Sequence, residues 1–583
     1  MLPKLVVVIT LAAILVTANG GTERETQSAE VEWLKKNAIT FATADAGHGF
    51  EDLEPLRDIV GDARIVGLGE GTHGTREYFK MKHRLTEFLA TEMGFTIFSI
   101  EASTPEAYEV NDYVARGAGD PKKLIGGMYF WTWNTEEVLD MVRWMRGFNE
   151  SDRGHIDFTG FDMQTPDVAM EIVQDFLRDV DPTLADEVRQ TYQTIKLTQR
   201  AGSGFGVATF TFPIDEARGK RVRYRGFIKT KDLEEGYGGL WWRVDGMKGE
   251  ERTMLAFDNM ADRGPKGTSD WKEYAIELDV PADAVNINFG ILMPGQGQAW
   301  FDGLTVELDG EPYDTQQFDL DFEGARVKGY SSRDNNYKAS MDTDVFHSGA
   351  QSLKLESLVV SDSDAPKAKE SARQAAEILS VLEASRDRFV QQRPAKDVEW
   401  VIHNARIVEQ CMRQRASRSG FVRDESMAKN VAWILEQNPD AKIILWAHNG
   451  HVSRRKGGMG AHLSEMFGDD YLPVAFAART GNYYAMGQGP RDGHELTSPP
   501  TGSIESFFAA VGKPRLMLDL RRADAKSPES KWLTEQRPFR SIGALAMEEQ
   551  FHPSTVTKNF DVLIYFDETT GARQLDTPPG RHN

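Results

Sequence analysis

Apolar residues along this chain come in two textures, and the change between them sets out the architecture. From Ala29 to about Thr198, short apolar runs alternate with stretches whose apolar positions recur every three or four residues. Ile65 to Leu68, Phe95 to Ile100 and Ile156 to Phe161 read as buried strands. Thr75 is a candidate N-cap for a helix carrying Tyr78, Phe79, Met81 and Leu85 on one face. Thr135-Glu136-Glu137 opens another, with Val138, Met141, Val142 and Met145 aligned, and Gln164 to Thr198 keeps helical periodicity throughout. Such strand–helix alternation predicts a mostly parallel sheet covered by helices on both sides.

Over residues 205–356 the texture becomes short period-two segments, among them Val222 to Ile228, Leu240 to Val244, Tyr274 to Val280 and Ile287 to Leu292, separated by Gly, Pro and Asp. This predicts an antiparallel β-sandwich. Helical periodicity returns from about Ala365 to Glu436, and strand–helix texture runs on to Phe566, passing the apolar run Ile443 to Trp446. The expected fold is therefore α/β, a mostly parallel sheet flanked by helices, with an all-β jelly-roll sandwich inserted. The α/β parts are placed at 29–200 and 361–568, the insert at 201–360 and a polar tail at 569–583.

Composition narrows the possibilities. A chain of 583 residues exceeds what one core usually supports, and a net charge of −21 disfavours nucleic-acid binding. Lys4 followed by the apolar run Leu5 to Val16 and a small-residue exit reads as a signal peptide over 1–20, too short for a membrane span, so a secreted or periplasmic location is expected. The single Cys411 excludes an intramolecular disulfide and a cysteine-built metal site.

The candidate chemistry sits where the strands end. Ile65 to Leu68 leads into Gly69-Glu70-Gly71-Thr72-His73, Phe95 to Ile100 into Glu101, Ile156 to Phe161 into Asp162, and Ile443 to Trp446 into Ala447-His448-Asn449-Gly450-His451. Open parallel sheets bind ligands at these C-terminal ends. A neutral imidazole there can take a proton from water, a carboxylate can fix its tautomer, and a second histidine or a protonated Glu can assist the oxyanion or leaving group. No Gly-x-Ser-x-Gly elbow is present and Cys411 lies in a helical stretch, which favours direct attack by activated water over a covalent intermediate. Bland roles stay open beside these: Glu70 capping the next helix, Glu101 pairing with Lys82 or Arg84, Asp162 making a turn. A metal reading, with ligands from Glu70-x-x-His73 and His448-x-x-His451, also stays open although neither matches His-Glu-x-x-His; no other cofactor is expected. Tyr129, Trp131 and Trp133 can line an apolar approach or fill a helix–sheet contact.

In the insert, Gly239-Leu-Trp-Trp-Arg-Val-Asp245, Ala256-Phe-Asp-Asn-Met260, Trp300-Phe-Asp-Gly303 and His347-Ser-Gly-Ala-Gln-Ser-Leu353 resemble jelly-roll modules of the carbohydrate-binding kind, in an order that reads either as a circular permutation or as the first strands of a second, truncated copy. Trp241, Trp242, Trp271 and Trp300 either stack on sugar or fill the core, and Asp258, Asn259 and Asp302 either hold Ca²⁺ or make turns.

The α/β parts resemble the erythromycin esterase family, through Leu68-Gly-Glu-Gly-Thr-His-Gly74 with Glu77-Tyr-Phe79 and Lys82, Gly94 to Glu101, Phe158 to Met163, Arg423-Asp-Glu-Ser-Met427, Trp446 to His451, Phe467 to Tyr471 and Asp561 to Asp567. The resemblance implies an esterase-like fold and a hydrolase that opens an ester or macrolide-type lactone with activated water. It puts His73 at the general base, with Glu70, Glu101, His448 and His451 around it. Asp162, in the matched Phe158 to Met163 motif, and Lys82 are placed among the substrate-binding candidates with Tyr129, Trp131 and Trp133. Lys82 falls where some members carry Arg, which keeps the charge and changes the geometry. Two further readings are carried: a glycan- or glycoconjugate-directed esterase or transferase whose sandwich binds sugar, and a non-catalytic small-molecule or metal-binding protein.

Overall fold

A computed structural model of the chain describes residues 29–200, 205–234, 236–248, 251–324, 330–331, 337–357, 364–417, 419–485, 494–544, 546–547 and 550–576. The expected signal peptide and the end of the tail lie outside the described residues. One sheet has nine strands, eight of them in the spatial order Ile39–Thr40, Arg515–Asp519, Val562–Thr569, Tyr471–Tyr483, Ile65–Leu68, Ile443–Trp446, Ile97–Ser103, Asp157–Asp162, and the ninth, the short His494–Glu495, pairing onto Tyr471–Tyr483 outside this order. The last six of the eight run parallel and the first two join antiparallel. The four strands whose ends drew attention in the sequence are neighbours at one side of the sheet.

Alternation along the strands divides their apolar residues between two cores. Val66, Leu68, Phe98, Ile100, Ile444 and Trp446 face the helices Arg76–Met93 and Glu136–Asn149. Ile65, Ile97, Ile443 and Leu445 face the helix Gly420–Gln437 through Met427, Val431 and Ile434. Burial on both faces explains why these strands read as solid apolar runs. The Thr135 side chain caps its helix by accepting from the Val138 N–H at 3.3 Å. Thr75 occupies the other N-cap position but makes no side-chain cap bond, its hydroxyl meeting Thr72 instead.

The continuous periodicity of Gln164 to Thr198 resolves into two helices, Asp167–Val180 and Pro182–Arg200. Asp181 between them takes φ −156°, because a residue before proline is pushed out of helical geometry, and Pro182 starts the second helix where its missing N–H costs nothing. Val188, Tyr192 and Ile195 of that helix pack with Ala375, Ile378 and Leu382 of Asp364–Ala384, the helix on the far side of the β-rich stretch.

Between those two helices lie two antiparallel sheets. The five-stranded one is ordered Tyr330–Ser331, Phe205–Phe212, Asn286–Pro294, Gly239–Lys248, Glu251–Asp258. The other carries Gln296–Leu308, Arg221–Glu234 and Gly267–Asp279 with Ser352–Ser357 and Tyr337–Asp342. Phe210, Phe212, Trp242 and Phe289 from one meet Tyr224, Ile228, Phe301 and Val306 from the other in a single core. The four tryptophans divide accordingly. Trp242 is fully buried in that core, Trp300 is buried with its indole N–H donating to Asp342, Trp271 lies beside His347, and Trp241 faces outward. Asp302 accepts the backbone N–H groups of His347 and Ser348, Asp258 accepts that of Met260 and Asn259 that of Ala261, so all three serve turns.

Phe98 is fully buried, 5.4 Å from the Phe158 ring and 6.1 Å from Trp446. Phe98→Ala is expected to lower stability by about 3–5 kcal/mol in urea unfolding; a loss under about 1 kcal/mol would contradict this core.

Candidate active site

Each site residue is held by the end of a strand or by a helix packed against it. Gly69 and Gly74 make the first turn possible through close approach: a Cβ on Gly69 would collide with the Asn449 side chain, and one on Gly74 with the Tyr484 carbonyl oxygen. Glu70, between them, is wholly buried. It does not cap the following helix. One carboxylate oxygen accepts from His73 Nδ1 at 2.7 Å, and the other accepts from Lys82 Nζ at 2.6 Å and from the Trp446 indole at 2.9 Å. Burial opposes its ionisation, yet the Lys82 ammonium and His73 hold its pKa below the ordinary range.

Lys82 reaches the turn from the helix Arg76–Met93, where it is fully buried, 4.4 Å from the Trp446 ring. Desolvation pulls its pKa down to about 8 against the pull of Glu70. His73 is 12% exposed, its ring 5.0 Å from that of His448 and edge-on to Trp133 at 5.9 Å. Burial favours its neutral form, but Glu70 and Glu101 outweigh this and raise its pKa above 6.5. With Nδ1–H committed to Glu70, the Nε2 lone pair makes no hydrogen bond among the described residues.

On the strand Ile97–Ser103, separated from the first strand in the sheet by Ile443–Trp446, Glu101 pairs with neither Lys82 nor Arg84. Arg84 is taken by Asp52 and by the carbonyls of Thr43 and Gly49. Glu101 instead accepts from Arg423 Nη2 at 2.7 Å and from the His448 backbone N–H at 3.0 Å, with His451 Nε2 at 3.3 Å. Burial opposes its charge, but His451, Arg423 and His73 hold its carboxyl far below the ordinary range. Arg423 also bonds Asp162 through Nε at 3.1 Å and Nη2 at 2.7 Å. Asp162 additionally accepts from its neighbours Met163 and Gln164, so its turn role and its place in the network coexist.

His448 and His451 are held quite differently from His73. His448 accepts from the Gly450 N–H at Nδ1 and donates from Nε2 to the Ile542 carbonyl, each at 3.0 Å, and burial pulls its pKa down to about 3. It is thus neutral with both nitrogens engaged. His451 places Nδ1 2.8 Å from Asp424, and its Nε2 lies 3.1 Å from Arg423 Nη1 and 3.3 Å from Glu101. The Glu70/His73 and His448/His451 pairs therefore do not converge as metal ligands, and no group of three or more His, Cys, Asp or Glu among the described residues is arranged to hold an ion. Burial pushes the Cys411 thiol up to about 12, which leaves no thiolate nucleophile at neutral pH.

The aromatic run forms a loop whose Trp133 fills a buried helix–sheet contact, 6.4 Å from the Phe79 ring and 5.9 Å from that of Trp446, while Tyr129 and Trp131 stay partly exposed. Trp133 enters the core and donates to the Glu101 carbonyl at 3.0 Å. Trp131 stays half-buried, 5.1 Å from the Tyr484 ring, and Tyr129 takes a left-handed φ of 66°. Arg423, Asp424 and Trp446 were missed as site residues although each stands in a motif quoted for the resemblance. The Ile542 carbonyl carries no sequence signal at all.

A family model described as "Erythromycin esterase" matches residues 90–221 and 330–569, more than half of the chain. It covers Glu101, Asp162, Arg423, His448 and His451, starts after the Glu70–His73 turn, and omits most of the two-sheet unit. An Escherichia coli protein named erythromycin esterase type II is 33% identical over 154 residues, 26% of this chain and 36% of its own length. The chain thus matches about a third of that relative. Among solved structures, a Bacillus cereus protein aligns with TM-score 0.60 at 19% identity, covering 94% of this chain and 99% of its own. A mutant of the erythromycin esterase EreC in its open conformation aligns with TM-score 0.50 at 13% identity, covering 91% of this chain and 96% of its own. At those identities the likeness is one of fold.

Glu101 titrates lower folded than unfolded, so its contribution to stability is present above pH 4.5 and lost as pH falls below that. Arg423→Met leaves two buried carboxylates without their cation and is expected to cost about 3–5 kcal/mol at neutral pH. Urea unfolding checks both: the deficit of the variant should shrink on acidification, and a constant deficit would refute the assignment.

Proposed function

This chain belongs to the erythromycin esterase family, and on that premise we propose that it hydrolyses a carboxylic ester, a macrolide-type lactone among the candidates, through water activated by His73. The observation that carries this reading is the asymmetry among the three histidines. Only His73 keeps a ring nitrogen open, at a strand's C-terminal end, with the opposite nitrogen fixed by Glu70. Water gives its proton to Nε2 as its oxygen bonds the carbonyl carbon. The tetrahedral intermediate then collapses, the C–O bond to the alcohol breaks, and the Nε2 proton passes to the leaving oxygen. Glu70 keeps the imidazole in the tautomer this requires and stabilises the imidazolium between the steps. Lys82 makes an ionised carboxylate tolerable at that depth. Glu101 and Arg423 act on the scaffold side, since Glu101 ties the His448 backbone to the strand end.

The macrolide reading is supported by the name of the Escherichia coli relative. Export is part of the same proposal and rests on the Lys4-to-Val16 pattern; protein recovered from cells with residues 1–20 intact would overturn it.

His73→Ala is expected to remove about 10²–10⁴-fold in kcat on an ester or lactone substrate while the melting temperature holds; undiminished hydrolysis would sink the mechanism. A protonated His73 cannot accept a proton, so the rate should fall with decreasing pH through an apparent pKa above 6.5. Glu70 raises that pKa and Lys82 lowers it, so Glu70→Gln should move the acid limb down and Lys82→Met should move it up. Movement in the opposite sense in either variant would contradict the assignment.

A further inference from the structure

The outer face of the five-stranded sheet carries a groove of about 700 Å³, in the range of small-molecule sites and remote in sequence from every catalytic candidate. Strand alternation builds it. Leu240, Trp242 and Val244 point into the core, so Trp241, Arg243 and Asp245 point out. Ala208 and Phe210 point inward from the neighbouring Phe205–Phe212 strand, leaving Phe205, Val207 and Thr209 on the groove side. In the register across the sheet, Gly290 stands between Trp241 and Thr209. A Cβ there would collide with the Ala208 carbonyl, so the position is held to glycine, and beside Trp241 the floor is bare backbone.

The lining has two characters. Trp241, Phe205, Tyr237 and Phe257 supply aromatic walls, and Phe205 is 52% exposed. Between them sit hydrogen-bond donors that no protein acceptor among the described residues takes up. The Trp241 Nε1–H is enclosed and has no partner among the described residues. Arg243 spends Nε on Asp245 at 2.7 Å, while its terminal nitrogens make no bond among the described residues. Asn288 uses its side-chain oxygen to accept from Thr211, and Asn259 uses its own to hold Ala261, which leaves both amide NH₂ groups to the groove. Asp245, the groove's carboxylate, is satisfied by Arg243 and Asn286. Of these only the Trp241 Nε1–H is buried without a partner, a costly state that a ligand acceptor would relieve, while Arg243, Asn259 and Asn288 are open to water and present their donors along the groove.

We propose that this groove is an oligosaccharide-binding site, in which Trp241 and neighbouring aromatics stack on pyranose faces while Trp241 Nε1, Arg243, Asn259 and Asn288 donate to sugar oxygens. A sugar ring has the required duality, an apolar C–H face and a rim of acceptor oxygens. A purely apolar guest would leave the enclosed Trp241 Nε1–H unpaired. The site is a holding site: it carries no residue placed for bond cleavage, and it would keep the hydrolase domain at a glycan-bearing surface whichever ester that domain cleaves. It stands independently of the reading of the His73 centre.

The test is native affinity electrophoresis of the full chain through gels containing xylan, mixed-linkage β-glucan, glucomannan, galactan, pectin or alginate, followed by calorimetry with oligosaccharides of any glycan that retards it. Retardation by at least one is expected, with affinity reduced at least tenfold in Trp241→Ala and in Asn288→Ala while melting temperature and ester hydrolysis stay at wild-type values. The neutral and uronic-acid gels distinguish whether Arg243 meets hydroxyl or carboxylate oxygens. Retardation by none of these glycans, or binding retained in both variants, overturns the proposal. Loss of hydrolysis in His73→Ala should leave retardation unchanged.

Discussion

Everything at the sheet's end depends on neutralising carboxylates that the strands carry out of water. Glu70, Glu101 and Asp162 are buried at the ends of strands on one side of the sheet, and an uncompensated charge there would cost more than the fold can supply. The cations arrive from two directions. Lys82 comes from the helix that directly follows the first strand, so the Glu70 end is a local arrangement. Arg423 lies 261 residues beyond Asp162 and 322 beyond Glu101 and comes from the helix across the opposite face. The two halves of the α/β chain are therefore joined by charge as well as by apolar packing.

That division also separates chemistry from support. The local Glu70–His73–Lys82 arrangement sets the basicity of one imidazole. The long-range Glu101–Arg423–Asp162 arrangement, with His451 and Asp424, fixes the backbone on which His448 sits. Three histidines that look equivalent in the chain acquire different states because their nitrogens meet different partners: a carboxylate and open space, two backbone groups, or a carboxylate and a guanidinium.

Much of this was legible in the sequence, and what was not has physical reasons. Solid apolar runs ending in Glu70, Glu101, Asp162 and His448 announced adjacent parallel strands, because only strands covered on both faces are apolar at every position. Pairing was harder to read. Nothing in the local sequence tells Glu101 to take Arg423 over Lys82, since that choice depends on which helix lies over which strand end. The break at Asp181–Pro182 was hidden because the apolar period continues across it. Among the four tryptophans, alternation alone distinguishes Trp241 from Trp242, yet which parity faces the core is fixed only when the second sheet closes over the first. The Ile542 carbonyl that engages His448 is invisible to any residue-type argument, as every residue has one.

The helices Pro182–Arg200 and Asp364–Ala384 pack side by side and carry the two-sheet unit at their ends. A chain that leaves and re-enters a fold at neighbouring points imposes little on what is spliced between them. The esterase-like core can thus exchange its passenger in evolution, acquiring or losing an address on a new surface while its buried charges, and hence its reaction, pass unchanged to descendants.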